Sequence, residues 1–211
     1  MNYISIQNPV IHEIEIKKSR FICYLFPLAE IESFAQQLQA IRKEHYKATH
    51  HCSAYILGQK AELQKASDDG EPAGTAGVPM LEVLKHHDLT YTAAIVVRYF
   101  GGTKLGAGGL IRAYGQAVSA ALEQAQLIQN VSQLVIGLTL SYAQVDAFQY
   151  FLSQTELAIT VLDTQYTDHV TFELAIHHDQ ATLVEQQLTE RFNGQLEWVE
   201  IGSQTVDIPY P

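Results

Sequence analysis

The sequence predicts an α+β protein built from two domains. The chain has 211 residues, of which 47% are hydrophobic, so it can bury a sizeable core in one large or two modest domains. Residues 1–132 carry twelve Lys and Arg side chains and twelve acidic ones, whereas residues 133–211 carry eleven acidic side chains and a single cation, Arg191. The formal charge of −10 therefore lies entirely in the last third. This division indicates two domains, 1–132 and 133–211, with different roles.

Short strands and helices alternate along the first domain. Residue patterns predict strands at 10–16, 21–26, 51–57 and 93–97, with 62–65 as a further strand beside 51–57. Apolar spacing predicts one helix from residue 30 to about 45 and a short helix over 78–87. The segment 67–77 is rich in turn formers and predicts a loop. A long helix follows residue 106, and its expected buried stripe is Leu110, Tyr114, Ala117, Val118 and Ala121.

The continuously apolar run 93–97 is typical of a strand that is buried on both faces. The last third then follows the order βαββαβ, which is that of a ferredoxin-like unit. Its predicted strands are 134–140, 158–166, 170–176 and 196–201, and the boundary before it falls near 130–133. Its first helix is marked by Val145, Phe148 and Leu152, and its second by Leu183, Val184, Leu188 and Phe192. Asp179 is the expected N-cap of the second helix, and Gly194 is expected to end it.

The composition also bears on compartment and cofactors. No apolar run approaches the ~18 residues of a membrane span, and the N-terminus lacks the pattern of a signal peptide. The two cysteines, Cys23 and Cys52, have no metal-binding or redox spacing. They are expected to be reduced thiols of a cytoplasmic protein. We therefore expect no membrane association, no metal site and no cofactor.

The most distinctive segment is VVRYFGGTKLGAGGLIRAYG, residues 96–115, with six glycines and three cations. A buried strand, a glycine-rich loop and a helix N-terminus follow one another, which is a geometry that presents free backbone N–H groups to an anion. No acidic residue lies between Asp88 and Glu123. The residues expected to bind an anion or nucleic acid are Arg98, Gly101, Gly102, Lys104, Gly106, Gly108, Gly109 and Arg112.

This segment does not match the known phosphate-binding motifs. A Walker A loop needs Lys and then Ser or Thr after its last glycine, but Gly106 is followed by Ala107 and Gly108. A dinucleotide motif that starts at Gly106 would need glycine where Ile111 stands. The alternative is that these glycines serve only a tight turn and close packing of helix on strand.

Two further segments carry candidate chemistry. Asp68, Asp69 and Glu71 could bind a divalent cation or transfer protons, although their spacing fits no EF-hand, and the alternative is a solvated turn in which Thr75 caps the next helix. His50, His51 and Cys52 begin a strand, and alternation directs His50 and Cys52 to one face and His51 to the other. A Cys–His nucleophile pair is conceivable there, but adjacent strand positions rarely align one, and ordinary histidines are the alternative. The candidate catalytic residues are therefore His50, His51, Asp68, Asp69 and Glu71.

The acidic last third is predicted to contact protein rather than RNA. Ferredoxin-like sheets that bind RNA stack bases on aromatic side chains with basic neighbours, whereas HVTFELAIH, residues 169–177, has one aromatic residue and no Lys or Arg. A domain with a charge of −10 would repel a phosphate backbone. Docking to a protein partner, self-association or regulation is the expected role.

Four segments together resemble the IMPACT family, specifically its two-domain bacterial, YigZ-like members. They are KSRF (18–21), HHCSAY (50–55), SDDGEPAGTAG (67–77) and the glycine-rich segment 96–115, and the resemblance covers essentially the whole chain. It implies an N-terminal domain like the second domain of a small-subunit ribosomal protein, a fold shared with GHMP-type kinases and part of elongation factor G. That fold contains a left-handed βαβ crossover, an exception to the usual handedness. It also implies a C-terminal domain like domain V of elongation factor G.

The resemblance implies a role in translation but supplies no catalytic residue set. Eukaryotic relatives regulate translation by competing for an activator of an initiation-factor kinase, and they use an additional N-terminal RWD domain that is not expected in this chain. The favoured hypothesis is a translation-associated regulatory protein that binds RNA, the ribosome or a translation factor through the basic glycine-rich loop. The alternative is an enzyme, hydrolase or phosphotransferase-like, that acts on a small phosphorylated or carboxylated substrate.

Overall fold

A computed structural model describes residues 2–210 and divides the chain into two compact units. The first unit consists of two segments of the chain, one that ends at Asn130 and one that begins at Ile208. The second unit is Val131–Asp207. Within residues 2–210, no helix combines the length and the apolar content needed to cross a bilayer. The elements in chain order are β1 (Tyr3–Ile6), β2 (Val10–Ile16), β3 (Ser19–Pro27), α1 (Ile31–Glu44), β4 (His50–Leu57), β5 (Leu63–Ser67), α2 (Gly77–His86), β6 (Thr92–Tyr99), α3 (Ala107–Leu122), β7 (Leu127–Leu140), a 3₁₀ turn (Tyr142–Gln144), α4 (Val145–Gln154), β8 (Ile159–Tyr166), β9 (Val170–His177), α5 (Ala181–Arg191) and β10 (Glu197–Pro209).

The first unit is built on a five-stranded sheet with the order β2-β3-β6-β4-β5, in which all neighbours are antiparallel. Strands β3 and β4 therefore run parallel with β6 between them, and α1 connects them. Strands β5 and β6 likewise run parallel to each other with β4 between them, and α2 connects β5 to β6. The predicted strands and helices of this unit are confirmed, including the pairing of β5 with β4.

The sheet is covered by helices on both faces, which explains its apolar central strands. Residues 93–97 of β6 are each 0% exposed, which confirms burial on both faces. Ala94 and Val96 pack in one core cluster with Met80 of α2 and Tyr114 of α3. Ala93, Ile95 and Val97 pack in a second cluster with side chains of α1. The predicted stripe of α3 is buried at every position, namely Leu110, Tyr114, Ala117, Val118 and Ala121.

The sequence patterns missed the start of β7, which begins at Leu127 rather than at residue 134, and they missed strand β1 entirely. It pairs antiparallel with the start of β7, from Tyr3 opposite Asn130 to Ile6 opposite Leu127. The Ile6 side chain is buried in the core beside α2 and α3. A four-residue strand has too few positions to establish a period of two, so its pairing follows from tertiary structure.

In the second unit the elements follow the expected order, β7-α4-β8-β9-α5-β10, and the strand order is β10-β7-β9-β8. Strands β7 and β9 are antiparallel, as are β8 and β9. One face of the sheet packs on both helices through a cluster of buried apolar side chains, which includes Ile136, Leu138, Phe148, Phe172, Val184 and Leu188.

Three local predictions in the second unit need correction. Helix α5 begins at Ala181 with Gln180 as its N-cap residue and no side-chain cap, so the prediction of Asp179 as N-cap is wrong. Leu183 is exposed because it lies off the face formed by Ala181, Val184 and Leu188. Strand β10 continues to Pro209 rather than ending at residue 201. The helix ends as predicted, since Gly194 has φ of +74° and its N–H donates to the Thr189 carbonyl.

Close packing of the β6–α3 loop against the β2–β3 turn gives a stability prediction. A Cβ at Gly101 would overlap the backbone of Lys18, whereas a Cβ at Gly108, within α3, meets no atom within 4 Å. We expect Gly101→Ala to destabilise the protein by about 1–3 kcal/mol, because overpacking forces the backbone to shift. The matched control Gly108→Ala should be neutral or stabilising by up to ~1 kcal/mol, since alanine favours helix. Urea unfolding of both variants tests this, and equal midpoints would contradict it.

Candidate anion-binding site

Strand ends bring the candidate segments to one end of the first unit. Strand β4 begins where β6 ends, with His50 opposite Arg98, and β3 begins beside them, with Arg20 opposite Tyr99. Strand β5 ends close by, since Ser67 lies opposite Ser53. The loops 68–76 and 100–106 leave the sheet at this end, and α2 and α3 begin there. We call this region the loop end.

Asp68 organises the loop 68–76. Its carboxylate accepts N–H groups from Gly74 at 2.8 Å, from Ala76 at 3.0 Å and from Gly77 at 2.8 Å. Burial raises the pKa of Asp68, but these three bonds lower it, and the net effect is a pKa below 3.8. The carboxylate therefore satisfies the N-terminus of α2. Thr75, the predicted cap, instead donates its hydroxyl to the Pro72 carbonyl at 2.7 Å, so that prediction is wrong.

Asp69 faces away from Asp68 and contacts the α1 side of the sheet. Its carboxylate accepts from Arg42 Nη2 at 2.6 Å and from the backbone N–H of His51 at 2.7 Å. The His51 ring lies beside it, with Nδ1 3.7 Å from Asp69 Oδ2, and burial lowers the pKa of His51. His51 and Asp69 therefore form a local structural pair around the start of β4.

Glu71 forms a buried ion pair with Arg98. The two residues are 8% and 5% exposed, and Arg98 Nη1 donates to Glu71 Oε1 at 2.6 Å. The Tyr114 hydroxyl donates to the same oxygen at 2.7 Å, and burial raises the pKa of that phenol. Arg98 Nη2 also lies 3.5 Å from Ser19 Oγ, which accepts the N–H of Gly101 at 3.2 Å. The positive charge of Arg98, a residue expected to bind an anion or nucleic acid, is thus balanced by the Glu71 carboxylate.

His50 completes this cluster from the strand β4. Its Nδ1 donates to the backbone carbonyl of Asp69 at 2.9 Å, which leaves Nε2 facing Glu71 Oε2 at 3.7 Å. Cys52, on the same strand face, donates its thiol to the Asp68 carbonyl at 3.0 Å. Burial raises the pKa of Cys52 to about 12, so the thiol is neutral at physiological pH. The geometry therefore gives no support to a Cys–His nucleophile pair.

The glycines of the loop serve two purposes. Gly101 allows close packing, and Gly102 and Gly106 adopt φ of +82° and +71°, a region that favours glycine. Helix α3 then begins at Ala107, and among residues 2–210 no acceptor contacts the N–H groups of Ala107, Gly108 and Gly109. The loop therefore combines close packing at Gly101 with a helix N-terminus whose first N–H groups are unbonded within residues 2–210.

A cavity of about 290 Å³ lies beside the start of α3. Of the predicted anion-binding residues, Arg98, Lys104 and Gly106 line it, and of the candidate catalytic residues, His50 and Glu71 do. The remaining candidates lie outside its lining, namely Gly101, Gly102, Gly108, Gly109, Arg112, His51, Asp68 and Asp69. The carboxylates that the enzyme hypothesis placed at one substrate position are therefore divided among three local environments. Within the described chain, no His, Cys, Asp or Glu side chains gather in a group of three that could hold a metal ion.

The cavity also contains residues that the sequence patterns did not select. Phe100, Leu105, Leu110 and Pro72 supply apolar walls, and Phe100 is 48% exposed. The guanidinium of Arg98 lies 5.7 Å from the centre of the Phe100 ring. Its position directly after the buried strand β6 is a sequence feature that could have identified Phe100 as a candidate site residue.

Lysine and arginine side chains concentrate at the loop end. Three of them are paired with acids, as Arg20–Glu13, Arg42–Asp69 and Arg98–Glu71. Six others at this end make no ion pair with a residue of 2–210, namely Lys17, Lys18, Lys43, Lys47, Lys104 and Arg112. Among the described residues, the nearby acids without a Lys or Arg partner are Glu15, Glu44 and Asp68, whose carboxylate is bonded by backbone N–H groups. The first unit is neutral as a whole, but this end carries a positive excess.

Fold and site define a two-unit α+β protein with a basic, glycine-lined loop end above a buried ion pair. Residues 17–122 match the family model described as the Impact N-terminal domain, and residues 138–195 match a domain of unknown function, DUF1949. The chain is 40% identical to the IMPACT family member YvyE of Bacillus subtilis, over 92% of this chain and 88% of that protein. It is 35% identical to the IMPACT family member YigZ of Escherichia coli K12, over 92% and 95%. The chain belongs to the IMPACT family.

A solved structure supports the same relationship. It is described as the crystal structure of a hypothetical protein and is 33% identical to this chain, with a TM-score of 0.59. The match covers 95% of this chain and 97% of the solved one. The family assignment based on the four sequence segments is therefore confirmed.

The bonds of Asp68 give a prediction about acid stability. Because its folded pKa lies below the unfolded value near 3.8, its contribution is full above that pH and is lost as the pH falls through the folded pKa. We expect Asp68→Asn to lower the free energy of unfolding by about 1–2 kcal/mol at neutral pH. The difference from the unsubstituted protein should shrink below about pH 4.

The measurement is urea unfolding from neutral pH down to about pH 3. Asp88→Asn is the matched control, since the Asp88 side chain is exposed and makes no hydrogen bond or ion pair among the described residues. A stability difference for Asp68→Asn that stays constant with pH would contradict the assigned role.

Proposed function

We propose that this protein is a translation-associated regulatory protein that binds RNA, the ribosome or a translation factor through the loop end. The main observation behind this proposal is the charge at one end of the first unit. Six cations without an ion pair and three N–H groups of α3 without an acceptor, in each case within residues 2–210, lie there. Unpaired lysines and arginines neutralise phosphates and release counterions, and a helix N-terminus accepts an anion. The translational role is what membership of the IMPACT family implies.

The charge distribution limits the kind of contact that we propose. The acidic residues 133–211 repel a phosphate backbone, so RNA would be contacted locally, over a short stretch at the loop end. In this proposal the acidic domain docks a basic protein partner or associates with itself. Residues 1–132 and 133–211 would thus act as two functional domains, in the cytoplasm, where free buried thiols such as Cys23 and Cys52 are usual.

Fold relationships with the translation machinery belong to the same proposal. Two interleaved βαβ connections, through α1 and α2, support a likeness of the first unit to the second domain of a small-subunit ribosomal protein. The strand order β10-β7-β9-β8 supports a ferredoxin-like second unit like domain V of elongation factor G. We propose both likenesses as the structural basis for ribosome-related binding.

Reversing one charge at the loop end tests this function. We expect Lys104→Glu to weaken binding of single-stranded RNA about tenfold and to reduce the slope of log K against log salt concentration by about 1. Fluorescence anisotropy between about 50 and 300 mM KCl measures both quantities. Lys60→Glu is the matched control, because Lys60 is exposed and follows the opposite end of β4.

Equal effects of the two substitutions, or binding that ignores salt, would contradict an electrostatic contact at the loop end. The same pair of variants in co-sedimentation with ribosomes separates RNA binding in solution from binding to the assembled ribosome.

A further inference from the structure

We propose that the cavity at the loop end binds a terminal nucleotide through its phosphate monoester, with the phosphate on the N-terminus of α3 and the base against Phe100. This inference deepens the proposed function, and it rests on that function where the nucleotide is the end of an RNA chain. A free mononucleotide offers the same chemistry, so the experiment below distinguishes the two sources.

The phosphate position follows from donors at the start of α3, where Ala107 lines the cavity and Gly108 and Gly109 follow it directly in the chain. The N–H groups of Ala107, Gly108 and Gly109 have no acceptor within residues 2–210, and Lys104 on the cavity rim makes no ion pair there. Cβ atoms at Gly106 and Gly108 would meet nothing within 4 Å, so a tetrahedral group has room to approach the backbone. Helix N-termini with glycines of this kind bind phosphate.

A second, independent observation is a hydrogen-bond donor of Arg98 that lacks an acceptor. This side chain lines the cavity, is 5% exposed and holds Glu71 through Nη1, but its buried Nε has no hydrogen-bond acceptor in the described chain. Buried donors are almost always bonded, so an unbonded one on a side chain that lines a cavity indicates an acceptor that the described chain does not itself supply. The helix terminus therefore does not stand alone as evidence.

The local charge favours an anion even though Glu71 is present. Arg98 balances Glu71 through a 2.6 Å contact, and Tyr114 donates a further hydrogen bond to the same carboxylate oxygen. Lys104 and the positive end of α3 then leave a net positive cavity. A monoester phosphate carries about −1.5 to −2 charges, more than a phosphodiester, so this site prefers a chain end.

The walls and the volume favour a single nucleotide. Phe100, Leu105, Leu110 and Pro72 form an apolar surface beside the phosphate position, and the exposed ring of Phe100 offers a face for stacking. Bases stack on aromatic rings regardless of their identity. The cavity volume of about 290 Å³ lies just below the ~300–1,000 Å³ range of ligand pockets, so it has room for one nucleotide at most.

Two substitutions test the two halves of the site. Ala107→Pro removes one N–H donor at the first position of α3, where proline is tolerated because that N–H makes no helical bond. Phe100→Ala removes the stacking face. Ile111→Ala is the matched control for Phe100→Ala, since both side chains are about half exposed and Ile111 lies outside the cavity lining. Circular dichroism and thermal unfolding establish that each variant is folded.

The full chain is titrated with one RNA sequence of about eight nucleotides carrying a 5′-phosphate, a 3′-phosphate or hydroxyls at both ends. Uridine 5′-monophosphate and inorganic phosphate are titrated separately. We expect either the 5′-phosphorylated or the 3′-phosphorylated RNA to bind about tenfold more tightly than the RNA with hydroxyls at both ends. Both Ala107→Pro and Phe100→Ala should abolish that gain in affinity, and Ile111→Ala should retain it.

The outcomes separate the inference from the proposed function. Salt-sensitive RNA binding that ignores end phosphates would overturn the cavity site and leave the proposed function standing. Uridine monophosphate binding as tightly as phosphorylated RNA, and lost in both variants, would support the site with a free nucleotide as its ligand. Inorganic phosphate binding as tightly as the nucleotide would overturn the stacking half, and the absence of any binding would overturn both proposals.

Discussion

The buried contact between Arg98 and Glu71 is the interaction on which the loop end depends. Arg98 comes from the central strand β6, Glu71 from the loop after β5, and Tyr114 from α3, so one carboxylate oxygen joins three elements that are distant in sequence. Through Ser19 the same guanidinium approaches the turn that packs on Gly101. Removing one partner from a buried pair leaves an uncompensated charge, which typically costs about 3–5 kcal/mol. The pair therefore determines whether the loop 68–76 and the glycine-rich loop keep their relative positions.

The pair also determines which charges are available to a ligand. Asp68 is used by backbone N–H groups, Asp69 by Arg42 and His51, and Glu71 by Arg98, so the acidic segment is satisfied internally. The exposed cations around it make no ion pair with an acid of the described chain and are therefore open to a ligand. A segment whose composition suggested a metal site or acid–base chemistry thus acts as the scaffold of a basic surface. Function in this family member is proposed to depend on that surface rather than on the carboxylates.

Much of the fold could be predicted because its elements follow periodic patterns over many residues. The apolar run of β6 and the stripe of α3 were clear for that reason, and the family segments were specific. The site was less predictable, because the partner of Arg98 lies 27 residues away and is brought close by loop geometry that no local pattern encodes. Local capping rules failed at Thr75 and Asp179, since Asp68 supplies the bonds that Thr75 was expected to make and α5 starts without a side-chain cap. Strand β1 was missed because four residues carry too little periodicity.

A double-mutant cycle on Arg98 and Glu71 tests the role of the buried ion pair most directly. The free energies of unfolding of Arg98→Met, Glu71→Gln and the double variant are compared with that of the unsubstituted protein by urea denaturation. If the pair ties the loop end together, each single change should cost about 3–5 kcal/mol, and the double variant should cost at least about 2 kcal/mol less than their sum. Costs that simply add would mean that the two side chains act independently. The loop end would then be held by packing, which would contradict the central role of the Arg98–Glu71 pair.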